Sequence, residues 1–206
     1  MKEYKLPIGC DVPETIILAD GDFPSHPLAL EWLRQCPYVV CCDGAANTYI
    51  RSGRMPEAIV GDGDSLLPDI KERYASLIHS EAEQETNDLS KAFRFCLSQE
   101  RKRITIMGAT GKREDHTIGN VSLLADYMEQ AEVSMMTDYG IFVPIREDSM
   151  FESYIGQQIS VFNMNSTALS AEGLAYPLSV FTNWWQGTLN EALARHFIIR
   201  TEGKVL

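Results

Sequence analysis

The chain lacks a surplus of basic residues: 18 Lys and Arg stand against 29 Asp and Glu, a formal charge of −11. A nucleic-acid backbone is held by clustered cations, so the balance disfavours nucleic acid as a partner and mildly favours a cationic small molecule. No apolar run approaches the ~20 residues needed to cross a bilayer. The opening Met1-Lys2-Glu3-Tyr4-Lys5-Leu6-Pro7 has no signal-peptide core. We therefore expect a cytoplasmic protein without membrane contact. Cysteine is sparse and odd in number (Cys10, Cys36, Cys41, Cys42 and Cys96), with no Cys-x-x-Cys. That favours buried thiols in a reducing compartment over disulfides or zinc. There is no Walker A loop and no Gly-x-Gly-x-x-Gly, which removes most support for a nicotinamide cofactor. Ser65 has no Gly-x-Ser-x-Gly elbow, and His26, His79 and His196 have no companions suggesting a zinc set. Repeats and low-complexity segments are absent too.

What the chain does have is apolar runs that stop at acidic, glycine-bearing loops. Ile16–Ala19 runs into Asp20-Gly21-Asp22, Tyr38–Cys42 into Asp43-Gly44, Ala58–Val60 into Gly61-Asp62-Gly63-Asp64-Ser65, and Ile104–Met107 into Gly108-Ala109-Thr110-Gly111-Lys112-Arg113. Segments with helical spacing lie between or after them: Leu28, Leu30 and Leu33; Ile70, Tyr74, Leu77 and Ile78; Leu89, Ala92, Phe93, Cys96 and Leu97. Asn87 or Thr86 could cap the last of these, and Asp115-His116-Thr117 could open another, with Ile118, Val121, Leu124, Ala125 and Met128 inside. Alternating strands and helices predict βαβ units around an open, mostly parallel sheet. After about residue 131 the runs shorten: 133–136, 141–145, 150–154, 158–162, 178–181 and 197–200, separated by turn residues. The fold class expected is α/β, with an N-terminal domain at 1–132 and a smaller C-terminal antiparallel β-sandwich at 133–206. The second is small for an independent core, which predicts packing on its neighbour or on a second subunit.

Loops that follow parallel strands emerge at one edge of the sheet, where such folds bind ligands. Asp20, Asp43, Asp62, Asp64 and Asp115 should gather there. Crowded carboxylates repel unless neutralised, so a cation is the natural resident. Asp62 and Asp64 alternate along extended chain and can share one ion, although Asp-Gly-Asp-Ser is also ordinary turn chemistry. In Gln84-Glu85-Thr86-Asn87-Asp88-Leu89-Ser90-Lys91, Asp88 and Lys91 share one face of a first helical turn. They read either as a capped surface ion pair or as a metal carboxylate beside a phosphate contact. The 108–113 loop suits phosphate, with Arg113 able to hold two oxygens. His116 is either a general acid or a structural hydrogen bonder. Trp184-Trp185 is either core and rim or a stacking surface for a flat cation.

Together, Asp43-Gly44-Ala45-Ala46-Asn47, Gly61-Asp62-Gly63-Asp64-Ser65, Gln84 through Ala92, and Gly108 through His116 with Asn120 make the chain resemble the thiamine pyrophosphokinase family. The resemblance implies an α/β domain carrying ATP and Mg²⁺, a C-terminal β-domain, and a homodimer whose thiamine site is shared between subunits. It implies transfer of pyrophosphate from ATP to the thiamine hydroxyl, with release of AMP. Carried over, Asp43, Asp62, Asp64 and Asp88 form an acidic cluster, with Asp62, Asp64 and Asp88 on Mg²⁺ and Asp43 towards thiamine. Gln84, Asn87, Lys91, Arg113, Asp115 and Asn120 attend the nucleotide, Arg113 also serving catalysis. Trp184, Trp185, Thr188 and Asn190 map onto the thiamine-facing loop. Gly63 and Thr188 depart from the family's commoner residues. Three alternatives stand beside this reading: a pyrophosphokinase for another alcohol such as a hydroxymethylpterin, an Asp-nucleophile phosphatase using Asp62, and a non-catalytic nucleotide sensor.

Overall fold

The structure is a computed structural model that describes residues 1–9, 11–81 and 85–206. Two compact units make up the chain, one of residues 9–142 and one of 1–8 with 143–206. Strand β1 (Lys2–Tyr4) belongs to the second of these, so the N-terminus serves the C-terminal unit.

The larger unit follows the apolar runs. Strands β2 (Thr15–Leu18), β3 (Val39–Cys42) and β4 (Ala58–Gly61) are buried at every position. That burial explains runs that are continuously apolar rather than alternating: helices cover both faces of a parallel sheet. Helix α1 (Pro27–Gln35) precedes β3, and α2 (Ala45–Arg51) follows it. A short α3 (Pro68–Arg73) and a 3-10 turn lead into β5 (Ile78–Ser80). Helix α4 (Asp88–Ser98) is capped by Asn87, whose Oδ1 accepts from Ser90 N at 2.9 Å. Its inner stripe of Leu89, Ala92, Phe93 and Cys96 is buried, as its spacing predicts. Strand β6 (Arg103–Met107), helix α5 (Glu114–Tyr127), and strands β7 (Glu132–Met136) and β8 (Ile141–Phe142) complete the unit. The sheet order is β5-β4-β3-β2-β6-β7-β8, parallel except for β8. The chain thus winds outward from β2 in one direction and resumes at β6 in the other. The β2/β6 junction is the switch point at which open α/β sheets form a crevice.

The smaller unit holds β9 (Ser149–Glu152), β10 (Gln158–Ile159), β11 (Leu169–Glu172), β12 (Asn190–Glu191) and β13 (His196–Thr201). Its sheets run β1-β9-β13-β11 and β10-β12, antiparallel apart from the β1–β9 pair. Ile145, Val161, Leu169, Leu178, Phe197, Ile199 and Val205 form its core. Tyr4 stacks on Phe151 and Phe151 on Phe197, with ring centroids 4.7 and 4.9 Å apart, so one aromatic column ties three strands.

Several expectations need correcting. The division falls at 142/143 rather than 132/133, because β7 extends the parallel ladder beside β6 and β8 returns along β7. Residues 178–181 form no strand; Leu178 and Phe181 instead pack on the core from an irregular segment. Ile78 lies in β5 rather than in a helix, while α2 and β11 had no clear apolar period to announce them. Ile118 is exposed, and Tyr127 takes the inner position on α5, stacked 3.9 Å from Phe93. Cys41, Cys42 and Cys96 are buried thiols and Cys36 is partly buried; Cys10 lies outside the described residues. Burial pushes the Cys96 thiol up to about 12 and lifts Cys41 and Cys42 well above the ordinary thiol range, which keeps all three protonated. No described helix is long and apolar enough to cross a membrane.

Candidate active site

Three carboxylates meet at the carboxyl ends of β3 and β4. Oxygens of Asp43, Asp62 and Asp64 all lie within 4.8 Å of one another. The chain achieves this with small residues and a few polar ties. Asp43, directly after β3, adopts a left-handed φ of 30°, and its Oδ2 accepts from Ser65 N at 3.1 Å. Asn47, one helical turn on in α2, donates to Ser65 O at 2.8 Å and accepts from Leu67 N at 3.0 Å. Asp62 Oδ1 accepts from Asp64 N at 3.2 Å, Ser65 Oγ donates to Asp64 at 3.0 Å, and Lys71 donates to Gly63 O at 2.6 Å. The 62–65 loop is therefore held from α2, from α3 and by its own side chains. Asn47 and Lys71 are tethers that residue order does not announce: the signal for either is only a polar residue on the helix beside an acidic loop.

Gly61 makes the meeting possible. A Cβ at that position would lie 2.8 Å from Asp43 Cβ and 3.4 Å from Asp88 Cγ. Gly61→Ala should push the Asp43 and Asp62 loops apart and cost about 2–3 kcal/mol by overpacking. Chemical denaturation and divalent-cation titration would measure the two effects; unchanged cation binding would contradict this account of the cluster.

Asp43 is buried, and its Oδ1 has no hydrogen-bond partner. Burial, a hydrogen bond shared with Asp64, and the nearby Asp88 and Asp62 charges push its carboxyl up to about 6, against the pull of Ser65 N–H. Asp64, exposed, is held below the usual range by the hydrogen bond it accepts from Ser65, by hydrogen bonding within the Asp62 and Asp43 cluster, and by Lys71. A buried acceptor with a free lone pair, facing two more carboxylates, is a donor set suited to a hard divalent cation such as Mg²⁺.

Asp88 abuts this trio across Gly61 but is not one of the three converging side chains; its Oδ1 receives Lys91 Nζ at 3.1 Å. The ammonium is almost wholly buried, with 4% of the side chain exposed, so the surface-pair reading of Asp88 and Lys91 fails. Asn87 Nδ2 donates to Asn120 Oδ1 at 3.1 Å, and Asn120 Nδ2 donates to Ala109 O at 2.8 Å. Asn120 thereby joins the α4 start to the glycine loop after β6. That loop leans on its neighbour: Gly21 N donates to Gly108 O at 2.6 Å and Asp22 N to Thr110 O at 2.8 Å. Gly108, at φ 65°, sits where a Cβ would come 2.6 Å from Ala19 O.

A cleft of about 170 Å³ opens at this switch point, lined by Ala19, Asp20, Gly21, Asp22, Phe23, Ala45, Thr48 and Lys112. Arg113 is not among its lining. Its guanidinium binds Asp115 through both oxygens, at 3.1 and 2.6 Å, and both side chains are largely exposed. That pairing raises Arg113 and lowers Asp115. Asp115 also accepts from His116 N at 2.9 Å. Gln84 lies outside the described residues.

In the smaller unit, Trp184 and Trp185 lie in a 3-10 turn (Trp184–Gly187) capped by Asn183. Trp185 is 72% exposed, whereas Trp184 meets Phe162 edge-on with centroids 5.9 Å apart. Thr188 Oγ1 donates to Trp185 O at 2.7 Å. Asn190, assigned to substrate by resemblance, is buried, and its amide is committed to the backbone of Tyr176 at 3.0 and 2.8 Å.

Comparison with known proteins finds matches over both units. Residues 29–136 match "Thiamin pyrophosphokinase, catalytic domain" and residues 140–206 match "Thiamin pyrophosphokinase, substrate-binding domain". The chain is 30% identical over 129 residues to thiamine pyrophosphokinase 1 of Oryza sativa subsp. japonica, covering 50% of this chain and 49% of that protein. It is 34% identical over 86 residues to thiamine pyrophosphokinase of Bacillus subtilis (strain 168), covering 40% of each. The chain thus spans about half the length, or less, of the curated relatives it matches. In fold it is similar to thiamin pyrophosphokinase from Candida albicans, with a TM-score of 0.79 at 18% identity over 99% of this chain and 91% of that one. The yeast enzyme's structure gives a TM-score of 0.80 at 16% identity over 99% and 89%. Matched over more than half its length by the catalytic-domain model, and over its C-terminal third by the substrate-binding model, the chain belongs to the thiamin pyrophosphokinase family.

Proposed function

We propose that this protein transfers the pyrophosphoryl group of ATP to the hydroxyl of thiamine, giving thiamine diphosphate and AMP. The observation that carries the reading is the convergence of Asp43, Asp62 and Asp64, with an unpartnered buried oxygen on Asp43, beside a buried Lys91. In this reading Asp43, Asp62 and Asp64 hold Mg²⁺, and Asp88 takes part by fixing Lys91. Bound Mg²⁺ neutralises charge on the polyphosphate. Lys91, shielded from water, presents its ammonium to the same oxygens with little screening. Asn87 and Asn120 hold the phosphate loop in register with that ammonium, while Arg113 and Asp115 complete the nucleotide's surroundings.

Attack falls on the β-phosphorus, with AMP as the leaving group. Phosphoryl transition states are loose and ask little of a base, so placing the hydroxyl in line is the main demand. The proton passes to a carboxylate of the cluster. Thiamine's fixed positive charge suits both the acidic edge and an exposed indole, and Trp185 is the better placed of the two tryptophans by exposure. Thr188 shapes that turn. Asn190 acts by holding the segment rather than by touching substrate. A homodimer in the cytoplasm, with thiamine contacted by both copies, completes the proposal; light scattering should give twice the chain mass.

The test is AMP release from ATP and Mg²⁺ with thiamine, with a hydroxymethylpterin, and with neither. Thiamine-dependent AMP supports the reading. AMP formed only with the pterin moves the substrate to another alcohol. Inorganic phosphate with a trapped phospho-Asp62 makes the protein a phosphatase, and tight ATP binding without AMP makes it a sensor.

A further inference from the structure

The cleft at the β2/β6 switch point carries one cation among its described lining residues, and that cation is already occupied. Lys112 Nζ donates to Asp20 O at 2.9 Å and to Asp20 Oδ1 at 3.1 Å, spanning from the loop after β6 to the loop after β2. Both side chains are about half exposed, at 53% and 47%, so the pair is solvated and weak enough to exchange. The Lys112 backbone is left-handed at φ 58°, next to Gly111 at φ 77°. A lysine gains nothing locally from that conformation, which suits glycine. It does aim the side chain back across the cleft instead of out along α5. Arg113, the neighbouring cation, is engaged with Asp115 and does not line the cleft.

We propose that Lys112 is an exchanging phosphate ligand: it leaves Asp20 when a nucleoside triphosphate enters the cleft and transfers its ammonium to the polyphosphate, so that Asp20 sets nucleotide affinity by competing for it. The inference rests on the proposed ATP chemistry and extends it by placing the polyphosphate in this cleft, which Lys112 of the loop after β6 lines. Ammonium-to-phosphate contacts are charge-assisted and stronger than the exposed pair they replace, so the exchange runs downhill. Asp20 and Asp22 are the acidic side chains of the cleft. A polyphosphate arriving there meets their repulsion as well as competition for the lysine.

The two contributions separate in a double-mutant cycle, with α,β-methylene-ATP and Mg²⁺ as the probe and calorimetry as the readout. Lys112→Met should weaken binding about 3–10-fold. Asp20→Asn should tighten it by relieving both repulsion and competition. In the Lys112→Met background Asp20→Asn relieves repulsion alone, so its gain should shrink about 2–5-fold, the size of the exposed pair that no longer has to break. Equal gains in both backgrounds, or wild-type affinity in Lys112→Met, would overturn the exchange while leaving the nucleotide site standing. Failure of the unsubstituted protein to bind the analogue would remove both. Should Lys112→Met fold poorly, Lys112→Gly suits the left-handed backbone and serves in its place.

Discussion

Asp64→Asn is expected to lower turnover at saturating substrates by more than about 10³-fold while the protein stays folded. Losing one carboxylate from a three-carboxylate cation site forfeits several kcal/mol of transition-state charge stabilisation, and each 1.36 kcal/mol is a factor of ten. The fold has little to lose. Asp64 is exposed, its Oδ1 accepts from Ser65 Oγ, and an asparagine oxygen can take over that bond. Removing the charge relieves repulsion from Asp62 but forfeits the favourable setting that holds Asp64 ionised, and both effects are small at an exposed site. The thermal midpoint should therefore stay nearly level while divalent-cation binding weakens. Steady-state kinetics and a Mn²⁺ titration read the two separately. Turnover within tenfold of the unsubstituted protein would remove Asp64 from the chemistry. Lost turnover together with a lowered midpoint would instead indicate a structural role.

Asp43→Asn should make the ligand-free protein more stable above pH 6 and abolish its activity. Asp43 is held up to about 6 in the fold, against 3.8 ordinarily, so between those values the folded protein binds a proton that the unfolded chain releases. Asp43's contribution to stability therefore falls as pH rises through that window, and its full cost is present above about 6. A shift of roughly two units bounds the cost near 3 kcal/mol. Asp43 titrates together with its neighbouring carboxylates, so that figure is an upper bound and a net cost of about 1–2 kcal/mol is the expectation. Asparagine removes the charge and keeps an acceptor for Ser65 N–H. Thermal unfolding of the variant should show a midpoint raised by a few degrees at pH 7–8 and a flatter profile from pH 4 to 6. Added Mg²⁺ should then stabilise the unsubstituted protein above pH 6 and leave the variant nearly unmoved. A variant that is less stable than its parent at pH 8 would mean that the burial of Asp43 is compensated by something other than its proton.

Both expected outcomes have stability and activity pulling apart at this edge for one reason. The carboxylates come together because Gly61 removes a side chain and because Asn47 and Lys71 tether the loop; the charges themselves oppose it. A bound cation would turn that opposition into affinity.

Most of the larger unit could be read directly from residue order. Continuous apolar runs ending in Asp or Gly mark strands buried on both faces, and parallel connection then puts every following loop at the same edge. The spacing of Leu89, Ala92, Phe93 and Cys96, with an Asn before it, likewise defines a capped helix without reference to anything distant. The family signature lies in those same loops. Short strands in the smaller unit were legible only as texture, because two- to six-residue strands owe their existence to cross-strand partners rather than to local preference. Pairing across long separations explains why residues 1–8 join residues 143–206 and why β7 belongs with β6. Burial decided the rest. Lys91, which looks like a surface lysine in the sequence, is enclosed; Asn190, which looks like a ligand contact, is consumed by Tyr176; and Asp43 is the acidic residue, among those described, whose oxygen is left buried and unmatched. Residue types and their order set which chemistry was available at this sheet edge. Solvent exclusion and the reach of a few polar side chains, which depend on segments 20 to 90 positions apart coming into contact, set which of those residues can carry it.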